Sequence, residues 1–538
     1  MVATTMGRGQ GMAADGGIDV RRDRLVIFAS TLGTAFEWYD FFVYGTLATI
    51  VAGHFFPSDN PAVSFLIFLG SFGVGFGMRP LGAILFGVLG DRLGRKYTFL
   101  VTITLMGVAT AAVGLLPTYA TIGVAAPILL VFCRILQGLA LGGEYGGAAV
   151  YVAEHAPRNR RGFYTSFIQS GVSAGFMLSL SVVLLSNQFV DKEAFAAWGW
   201  RIPFLFSLVL LGISLWVRLK LSESPVFTAM KEKGEVARNP LRESFDSWAK
   251  VRRILLALFG LSAGLTVIWY VGQFQSLYFL QNSLRVDDMV ARVLVGAAAF
   301  GAVFGFILFG WLSDRIGRRR LILTGYVLTL VFLFPLFHWI AAAANPGLAA
   351  AMERAPVVVT GSDCRYDPFA SRQETACGKV LDALSKKGVA YTKVDGVPGT
   401  PPAVTIGGAP VDASDAESLE AGLAAAGYDL AKVTPSLGDS AKIFVYLLIL
   451  GFFSGMTYGP SAAVMVELFP ARVRYTSLSV PYHIGTGYFG GFLPFISQYI
   501  VARTGDPFAG FWYTFIVAGV AFLIALVWLP ETAGKELE

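Results

Sequence analysis

Charged side chains inside apolar segments are the residues of this sequence whose types and spacing could support chemistry. Glu37 and Asp40 lie three positions apart in an apolar stretch, which would place both carboxyl groups on one face of a helix. Two carboxylates that share a site of low dielectric constant resist double ionisation, so one of them should bind a proton near neutral pH. The pair is therefore the first candidate for proton coupling. The alternative is a structural role, in which the pair bonds to a nearby arginine or accepts hydrogen bonds.

Arg79 is the first candidate for binding an anionic substrate. It lies twelve residues before Asp91 in one apolar segment, and about 1.5 Å per residue places its guanidinium group near the middle of a bilayer. A guanidinium group offers two parallel donors to a carboxylate, which suits it to clamp an anion. The alternative is a permanent salt bridge to Glu37 or Asp40.

A polar stripe follows on the fourth apolar segment. Arg134, Gln137 and Tyr145 fall on one face of an ideal helix, and Glu144 lies at the edge of that face. The stripe predicts a cavity wall that binds substrate, with Glu144 as a further candidate for proton coupling. The alternative is that the neighbouring glycines bring two helices together and the polar groups only hydrogen-bond across the contact.

Later segments supply candidates for the opposite wall. Tyr270, Gln273 and Tyr482 are predicted to contact substrate, although a tyrosine in an aromatic-rich chain is more often a packing residue. His483 is a candidate for proton coupling because a membrane histidine can titrate near physiological pH, and a satisfied structural histidine is the alternative.

One short loop sequence occurs twice, at 87–96 and at 310–319, and each copy lies between two long apolar runs. An aspartate at a helix end can bond to its arginine neighbours and to a helix N-terminus of the other half while the cytoplasmic side is closed. We therefore expect the two loops to be gates, with topological clamps as the alternative. The predicted gating residues are Asp91, Arg92, Arg95, Asp314, Arg315 and Arg318. Arg201, near the outer surface, is predicted to form an outer gate or a snorkelling anchor.

Membrane-spanning helices must position these residues. The 538 residues are 55% hydrophobic and 14% charged, and the mean hydropathy is +0.62. Continuous apolar runs of about 20 residues favour helices over the alternating strands of a barrel. The twelve predicted spans are 25–50, 62–90, 97–116, 124–153, 162–187, 200–220, 253–281, 290–313, 319–342, 441–468, 474–502 and 508–529.

The sequence predicts an all-α polytopic membrane protein of two pseudo-symmetric six-helix bundles. Lysines and arginines are concentrated in alternate short loops, which places both termini in the cytoplasm and explains the net charge of +6 without nucleic-acid binding. The predicted parts are a disordered N-terminus (1–24), the first bundle (25–220), a cytoplasmic linker (221–252), the second bundle (253–342 and 439–529) and a cytoplasmic tail (530–538).

An insertion at 343–438 separates the ninth and tenth predicted spans and should face the extracytoplasmic side. Its pattern predicts a small α/β domain that weakly resembles a thioredoxin- or glutaredoxin-type βαββα fold. The Cys-x-x-Cys motif of that fold is missing, which argues against redox activity. In an oxidising compartment Cys364 and Cys377 are predicted to form a structural disulfide, with free or metal-binding thiols as the alternative. Cys133 lies inside a span and is predicted to be inert packing.

Several motifs together resemble the major facilitator superfamily, and more closely its metabolite:proton symporter family. They are the Gly-x-Leu-x-Asp-Arg-x-Gly-Arg-Lys loop, Phe36-Glu37-Trp38-Tyr39-Asp40-Phe41, Met78-Arg79-Pro80-Leu81-Gly82, Gln137-Gly138, Glu154-His155-Ala156-Pro157 and Trp200-Arg201-Ile202-Pro203. That family includes carriers for α-ketoglutarate, citrate, shikimate and proline or betaine. The resemblance implies a bacterial-type inner membrane location and a role of Arg134 in proton or substrate coupling. It does not identify the metabolite.

The expected function is proton-coupled import of a small, carboxylate-bearing metabolite by alternating access. The sequence lacks an ATP-binding signature and a set of catalytic residues, so an ion or substrate gradient must drive transport and no cofactor, metal or enzyme activity is expected. The expected partners are the substrate, the proton and the lipid bilayer, with function as a monomer. The alternatives are a uniporter or exchanger of betaine-like or neutral solutes, and a non-transporting sensor that uses the external domain.

Overall fold

Long apolar helices form most of the chain. The computed structural model describes residues 20–537, apart from residues 94, 144, 220–239, 371, 413–415 and 471–472. The helices of the first half are α1 (Val20–Thr46), α2 (Ala48–Phe55), α3 (Pro61–Gly77), α4 (Arg79–Leu93), α5 (Arg95–Leu115), α6 (Tyr119–Ile122), α7 (Ala125–Gly142), α8 (Tyr145–His155), α9 (Arg161–Phe189), α10 (Lys192–Ala194) and α11 (Arg201–Leu219).

The second half repeats this helical character and contains several wider π-helical turns. Its membrane-type helices are α13 (Trp248–Leu255), α14 (Ala263–Tyr270), α15 (Ser276–Tyr278), α16 (Asp288–Ile316), α17 (Arg318–Ala344), α21 (Leu437–Tyr458), α22 (Ser461–Leu468), α23 (Arg474–Ile484), α24 (Leu493–Thr504) and α25 (Phe511–Trp528), preceded by the short α12 (Pro240–Ser244). The π-helical segments Leu256–Ser262, Val271–Gln275 and Phe279–Ser283 join α13, α14 and α15 into one continuous segment.

Eight helical segments of the described residues are long and apolar enough to cross a membrane, and a bent pair, Lys192–Gly199 with Arg201–Trp216, would make nine. The remaining predicted spans are helical but do not meet the same test. Helix α1 contains several charged residues, the apolar part of α5 covers only Leu100–Leu115, and the 474–502 span is divided at the π-helical segment Gly485–Gly490.

The two halves meet along their long helices. Helix α9 packs against α1 within the first half and against α16 of the second half, and α16 also packs against α21. Within the first half, α7 approaches α4 so closely that a Cβ atom on Gly142 would lie 2.7 Å from the backbone nitrogen of Ala83. This contact fixes α4, which begins at Arg79, against α7.

A four-stranded sheet lies between α17 and α21 in the chain. Its strands are β1 (Val357–Gly361), β2 (Thr392–Asp395), β3 (Ala403–Ile406) and β4 (Ala409–Val411), and its helices are α19 (Ala376–Lys387) and α20 (Ala416–Ala425), preceded by α18 (Pro346–Arg354). The strand order is β2-β1-β3-β4, with β1 and β2 parallel and the other pairs antiparallel. A separate hydrophobic core, which includes Val359, Leu381 and Leu419, holds this inserted domain together.

Candidate functional site

Arg79 is fully buried inside the bundle and is surrounded by aromatic rings. Its guanidinium carbon lies 5.0 Å from the ring centre of Trp38, 5.6 Å from that of Phe76 and 5.8 Å from that of Tyr482. None of its three side-chain nitrogens has a hydrogen-bond partner among the described residues. A buried charge normally has a partner because its desolvation costs several kcal/mol, so these free donors identify Arg79 as a ligand-binding candidate.

The carboxylates of α1 lie in the same interior. Asp40 is 5% exposed, and its Oδ1 atom has no hydrogen-bond partner among the described residues. In the described structure Asp40 and Arg79 do not form an ion pair. The permanent salt bridge between them, which was the alternative role of Arg79, is therefore absent from this conformation. Glu37 is equally buried and lines a cavity of about 10 Å³ with Trp38 and Tyr145. The structure therefore places both predicted proton-coupling carboxylates inside the protein rather than against lipid.

Arg134 and Gln137 form a chain of hydrogen bonds that runs from α7 to α5. The Nη1 of Arg134 donates to Gln137 Oε1 at 2.5 Å, and Gln137 Nε2 donates to Thr110 Oγ1 at 2.6 Å. The guanidinium group also lies 4.3 Å from the ring centres of both Phe41 and Tyr44. Its Nε and Nη2 atoms have no partner among the described residues, so Arg134 retains donors for a ligand.

Tyr270, Tyr482 and His483 are buried in the second half. The ring of Tyr482 stacks on Tyr145 of the first half with centroids 3.7 Å apart, and Gln169 donates a hydrogen bond to the Tyr145 hydroxyl. Both ring nitrogens of the buried His483 and the hydroxyl of Tyr270 lack partners within the described structure. These residues and Arg79 form one cluster across the interface between the halves.

Gln273 is buried on the same helical segment, and its Oε1 atom has no described partner. The structure gives it no aromatic or ionic contact to the Arg79 cluster. Glu144 lies outside the described residues. The role of both residues in binding or coupling remains a prediction.

The N-terminal end of α9 and the C-terminal end of α16 are joined by a buried set of charges. Asp314 accepts hydrogen bonds from the backbone nitrogens of Gly162 (2.8 Å) and Phe163 (2.9 Å), and so caps the N-terminus of α9 in the other half. Arg318 pairs with Asp314 at 3.3 Å. Glu467 pairs with both Arg161 and Arg318. These contacts join the two halves in the described conformation, at the end of the bundle that the sequence predicts to face the cytoplasm.

Two predicted gating residues lie elsewhere. Arg315 is exposed, and its guanidinium carbon stacks on Trp311 at 3.9 Å, so it does not join the buried cluster. Arg201 donates to the carbonyl oxygens of Gly114 (2.9 Å) and Leu116 (2.7 Å) at the end of α5 in its own half. In this conformation Arg201 therefore stabilises a helix terminus, since those carbonyls have no partner within the helix, and its role as an outer gate or a snorkelling anchor stays a prediction.

The matching loop of the first half contains three of the predicted gating residues, Asp91, Arg92 and Arg95. The side chains of Asp91, Arg92 and Arg95 lie outside the described part of the structure. Their proposed gating role rests on the repeated loop sequence alone.

Aromatic contacts join the two halves near the inserted domain. The Tyr278 hydroxyl donates to the carbonyl of Gly45 at 2.9 Å, and the Tyr278 ring meets Phe65 edge-on at 5.1 Å. Cys364 and Cys377 are joined by a disulfide with their Cα atoms 4.9 Å apart. Cys133 is a buried free cysteine.

Several residues of the site carried no clear signal in the sequence. Trp38 and Phe76 frame Arg79, and the sequence shows them only as members of an aromatic-rich composition. In the sequence Arg161 is one of several loop charges, and Glu467 is part of an internal repeat. Their ion pair joins residues far apart in the sequence, so it could not be predicted without the fold. Gln169 had no local signal.

Comparison with known proteins places these features in a family. The family described as "Sugar (and other) transporter" matches residues 25–256. The inner membrane metabolite transport protein YhjE of Escherichia coli is 32% identical over 95% of this chain and 95% of its own length. The shikimate transporter of Escherichia coli is 40% identical over 60% of this chain and 74% of its own, and the proline/betaine transporter of that organism is 40% identical over 60% and 65%.

A likeness to solved structures supports the fold. The structure described as a D-xylose-proton symporter superposes with a TM-score of 0.60 over 95% of this chain and 99% of its own, at 16% sequence identity. A structure of the xylose transporter XylE in a partially occluded inward-open conformation gives a TM-score of 0.59 over 96% of this chain. At this level of identity the likeness concerns the fold only.

Proposed function

Because this chain belongs to the major facilitator superfamily, in its family of metabolite:proton symporters, we propose that it imports a small carboxylate metabolite together with a proton. The observation that carries the proposal is the buried Arg79, whose guanidinium group has three nitrogens without a described partner. A carboxylate bound there would supply the missing acceptors and the missing negative charge. The same argument gives Arg134 a supporting role, because two of its nitrogens are free.

The proton is assigned to the carboxylates of α1. Asp40 is buried without an ion-pair partner among the described residues, a setting in which an ionised carboxylate is unfavourable. Protonation from the outside would neutralise it before the halves rock, and release to the cytoplasm would reset it. Glu37 is proposed to take part in the same exchange, with His483 and Glu144 as further candidates.

Alternating access is proposed to use two six-helix bundles with twelve spans, an extracytoplasmic insertion and both termini in the cytoplasm. Some helices do not reach the length and apolarity of a simple span. They still lie at the positions in the chain where a span is needed to keep successive loops on alternate sides of the membrane. Asp314 and Glu467 would release their partners when the cytoplasmic side opens. A rocking motion about the interface of α9 and α16 is consistent with their packing.

The test is uptake into proteoliposomes under an imposed inward proton gradient. Radiolabelled shikimate, α-ketoglutarate, citrate, glycine betaine and proline would be compared, with and without a protonophore. We expect one carboxylate to accumulate, faster at acidic external pH, and the protonophore to abolish accumulation. Uptake that is insensitive to both would contradict proton coupling and would leave facilitated diffusion or exchange.

Two variants test the residue assignments. Arg79→Gln should abolish uptake, whereas Asp40→Asn should retain downhill exchange of the labelled substrate but lose accumulation. Arg354→Gln is the matched control, because Arg354 is an exposed guanidinium group of the inserted domain. An Asp40→Asn protein that still accumulates substrate would assign the proton to another group.

A zwitterionic betaine is the second candidate substrate, and the aromatic surroundings of Arg79 favour it. Trp38, Phe76, Tyr270 and Tyr482 form a set of ring faces of the kind that attracts a quaternary ammonium group. The carboxylate of the betaine would still bind Arg79. Accumulation of glycine betaine without any of the acids would select this candidate.

A further inference from the structure

A cavity of about 270 Å³ lies on the extracytoplasmic side, where the inserted domain meets both halves. Its lining includes Thr49 and Phe65 from the first half, Arg285 and Gln498 from the second half, and Tyr391 from the inserted domain. None of the three parts encloses the cavity alone. It is separated from the central site by the contact of Phe65 with Tyr278.

We infer that this cavity is an outer binding site for small organic anions, which captures substrate before the outer gate opens. The inference rests on the proposed function for the nature of the ligand. Its chemical basis is the lining itself, because Arg285 and Lys386 are its charged residues and none of the described lining residues is acidic. Leu348, Met352 and other apolar residues would contact the carbon skeleton of the anion.

Two polar groups of the lining have unused hydrogen-bonding capacity. The Oγ1 atom of Thr49 and the Nε atom of Arg285 are buried, and neither has a partner among the described residues. The other end of the Arg285 guanidinium group donates to the carbonyl of Lys387, and no carboxylate among the described residues pairs with its charge. Lys386 is less available, because it pairs with Asp382 at 3.0 Å. Arg285 is therefore the anion-binding residue of this site.

The backbone of Arg285 is held in an unusual conformation. Its φ angle is 58°, in the left-handed region that a residue with a Cβ atom seldom adopts. The backbone is fixed there by Val433, whose nitrogen donates to the Arg285 carbonyl at 2.8 Å and whose carbonyl accepts from Asp287 at 2.9 Å. The position of the guanidinium group is thus set by a rigid loop between the inserted domain and the start of α16.

The cavity is also linked to the interior. Gln498 lines it, and its Nε2 atom donates to Gln275 Oε1 at 3.3 Å. Gln275 lies two residues after Gln273 on the segment that carries Tyr270. An anion that leaves the cavity when Phe65 and Tyr278 separate would therefore move along a polar path toward Arg79.

Cysteine labelling of the full-length protein tests this site without requiring transport. Ser283→Cys, in a Cys133→Ser background, places a thiol in the lining. We expect an anionic sulfonate methanethiosulfonate to label it faster than a cationic trimethylammonium one, relative to their rates with a free thiol. Arg285→Gln should lower this preference by about fivefold, the effect of removing one charge from a partly solvated site.

Matched variants serve as controls for the labelling preference. Arg354→Gln removes an exposed guanidinium group of the same domain and Arg79→Gln removes the central one, and both should keep the preference. Arg285→Lys keeps the charge, and its labelling preference should stay within about twofold of that of the parent. This variant provides the comparison if Arg285→Gln does not fold. Equal preferences in Arg285→Gln and Arg354→Gln would overturn the outer site, whatever the uptake assays give.

Protection provides the second readout. Shikimate or citrate at millimolar concentration should slow labelling of the parent and not of Arg285→Gln. Labelling that these acids leave unchanged, while uptake of either acid is measurable, would reject the outer site and leave the central site standing. Labelling that they slow in a protein without uptake would reject the transport proposal alone.

Discussion

At the scale of single residues, the structure separates a guanidinium group without polar partners from one that serves the fold. Arg79 is buried without a hydrogen-bond partner in the described structure, and Arg201 donates to two carbonyls at the end of α5. Arg79 should destabilise the resting protein, because no hydrogen bond offsets the free energy of its desolvation. Arg201 should stabilise the resting protein through its two hydrogen bonds. Binding sites commonly retain such a cost in exchange for ligand affinity.

This contrast predicts opposite changes in stability. Arg79→Met should abolish uptake and raise the apparent melting temperature, with a gain on the order of 1 kcal/mol or more from removing an unpaired charge. Arg201→Gln should lower the melting temperature, with a loss of about 1–3 kcal/mol in the free energy of unfolding, since two carbonyls lose a charged donor. Thermal unfolding of both purified variants in one detergent checks the signs. A loss of stability in Arg79→Met would mean that Arg79 has a partner that stabilises the resting state.

Glu531 gives a prediction for pH. Partial burial alone would raise the pKa of its carboxyl group, but hydrogen bonds from the backbone nitrogens of Ala533, Arg318, Arg319 and Thr532 outweigh it and lower the pKa below the ordinary 4.5. A lowered pKa stabilises the fold above pH 4.5 and loses this effect as the pH falls through the folded value.

Wild type should therefore be more thermostable than Glu531→Gln at pH 7, and the gap should shrink below about pH 4.5. Melting curves from pH 7 down to pH 4 measure it. A gap that is constant over this range would show that Glu531 contributes through packing rather than through its charge.

At the scale of helices, close contact between α4 and α7 positions the binding site. A Cβ atom on Gly142 would collide with the carbonyl oxygen of Arg79 itself and lie 2.7 Å from Ala83 N. Gly142→Ala should push the two helices apart, which destabilises the protein by about 1–3 kcal/mol and displaces the guanidinium group. Gly212→Ala is the control, because a Cβ atom there meets nothing within 4 Å.

Uptake and melting temperature of the two alanine variants would be measured side by side. We expect both quantities to fall for Gly142→Ala and to stay at the parent values for Gly212→Ala. If the two variants behave alike, the contact between α4 and α7 has enough slack to accept a methyl group, and it does not set the position of Arg79.

Helical periodicity and hydropathy predicted the long helices well, and predicted their breaks poorly. The segment 474–502 was expected as one span, but the structure ends α23 at Ile484, continues through the π-helical segment Gly485–Gly490 and begins α24 at Leu493. Such a break depends on neighbouring helices, and hydropathy averages over it. The polar residues Arg79, Arg134 and Asp40 stand out in the sequence because charge is rare in apolar segments. The rings around Arg79 do not stand out, because apolar aromatic residues occur throughout the chain.

At the scale of the whole molecule, Glu467 couples the halves at the N-terminal end of α9. Its carboxylate pairs with Arg161 of the first half and Arg318 of the second, and all three side chains are buried. Glu467→Gln would remove the buried counter-charge of Arg161 and leave Arg318 with Asp314 alone, which favours opening toward the cytoplasm. Substrate turnover should change more than affinity, because the ion pairs of Glu467 among the described residues are with Arg161 and Arg318 and not with the Arg79 cluster.

The measurement is labelling of Ser170→Cys by an impermeant maleimide in inside-out vesicles, in a Cys133→Ser background. Ser170 is buried on α9, and its hydroxyl bonds only to its own helix at Ser166, so the cysteine should perturb little. We expect Glu467→Gln to raise the labelling rate several-fold. Glu536→Gln, which removes the exposed partner of Arg158, should leave it unchanged. Equal rates in the two variants would argue against Glu467 as a gate.

A loop of the inserted domain contacts both halves. The disulfide between Cys364 and Cys377 closes this loop, which carries Tyr366 and Phe369. The hydroxyl of Tyr366 accepts a hydrogen bond from Asn60 of the first half at 2.9 Å. The ring of Phe369 stacks on Phe495 and Tyr499 of α24 in the second half, with centroids 6.3 and 5.7 Å away. The loop therefore holds the two halves together across the outer face.

Replacing both cysteines by serine should release this loop. The free energy of unfolding of the inserted domain should fall by about 3 kcal/mol, the value for opening a closed loop of this size, and the outer cavity should become more accessible. Labelling of Ser283→Cys by the anionic reagent should accelerate in the Cys364→Ser/Cys377→Ser protein. Cys133→Ser, which removes only the buried free thiol, is the background and should keep the slow rate. Treatment with a phosphine reductant, removed before the thiosulfonate is added, should accelerate labelling at position 283, read at that peptide by mass spectrometry, in the disulfide-containing protein and have no effect on the double variant. If the double variant and its background are labelled at the same rate, the outer face is held closed by Tyr278 and Phe65 alone, and the inserted domain has no part in closing it.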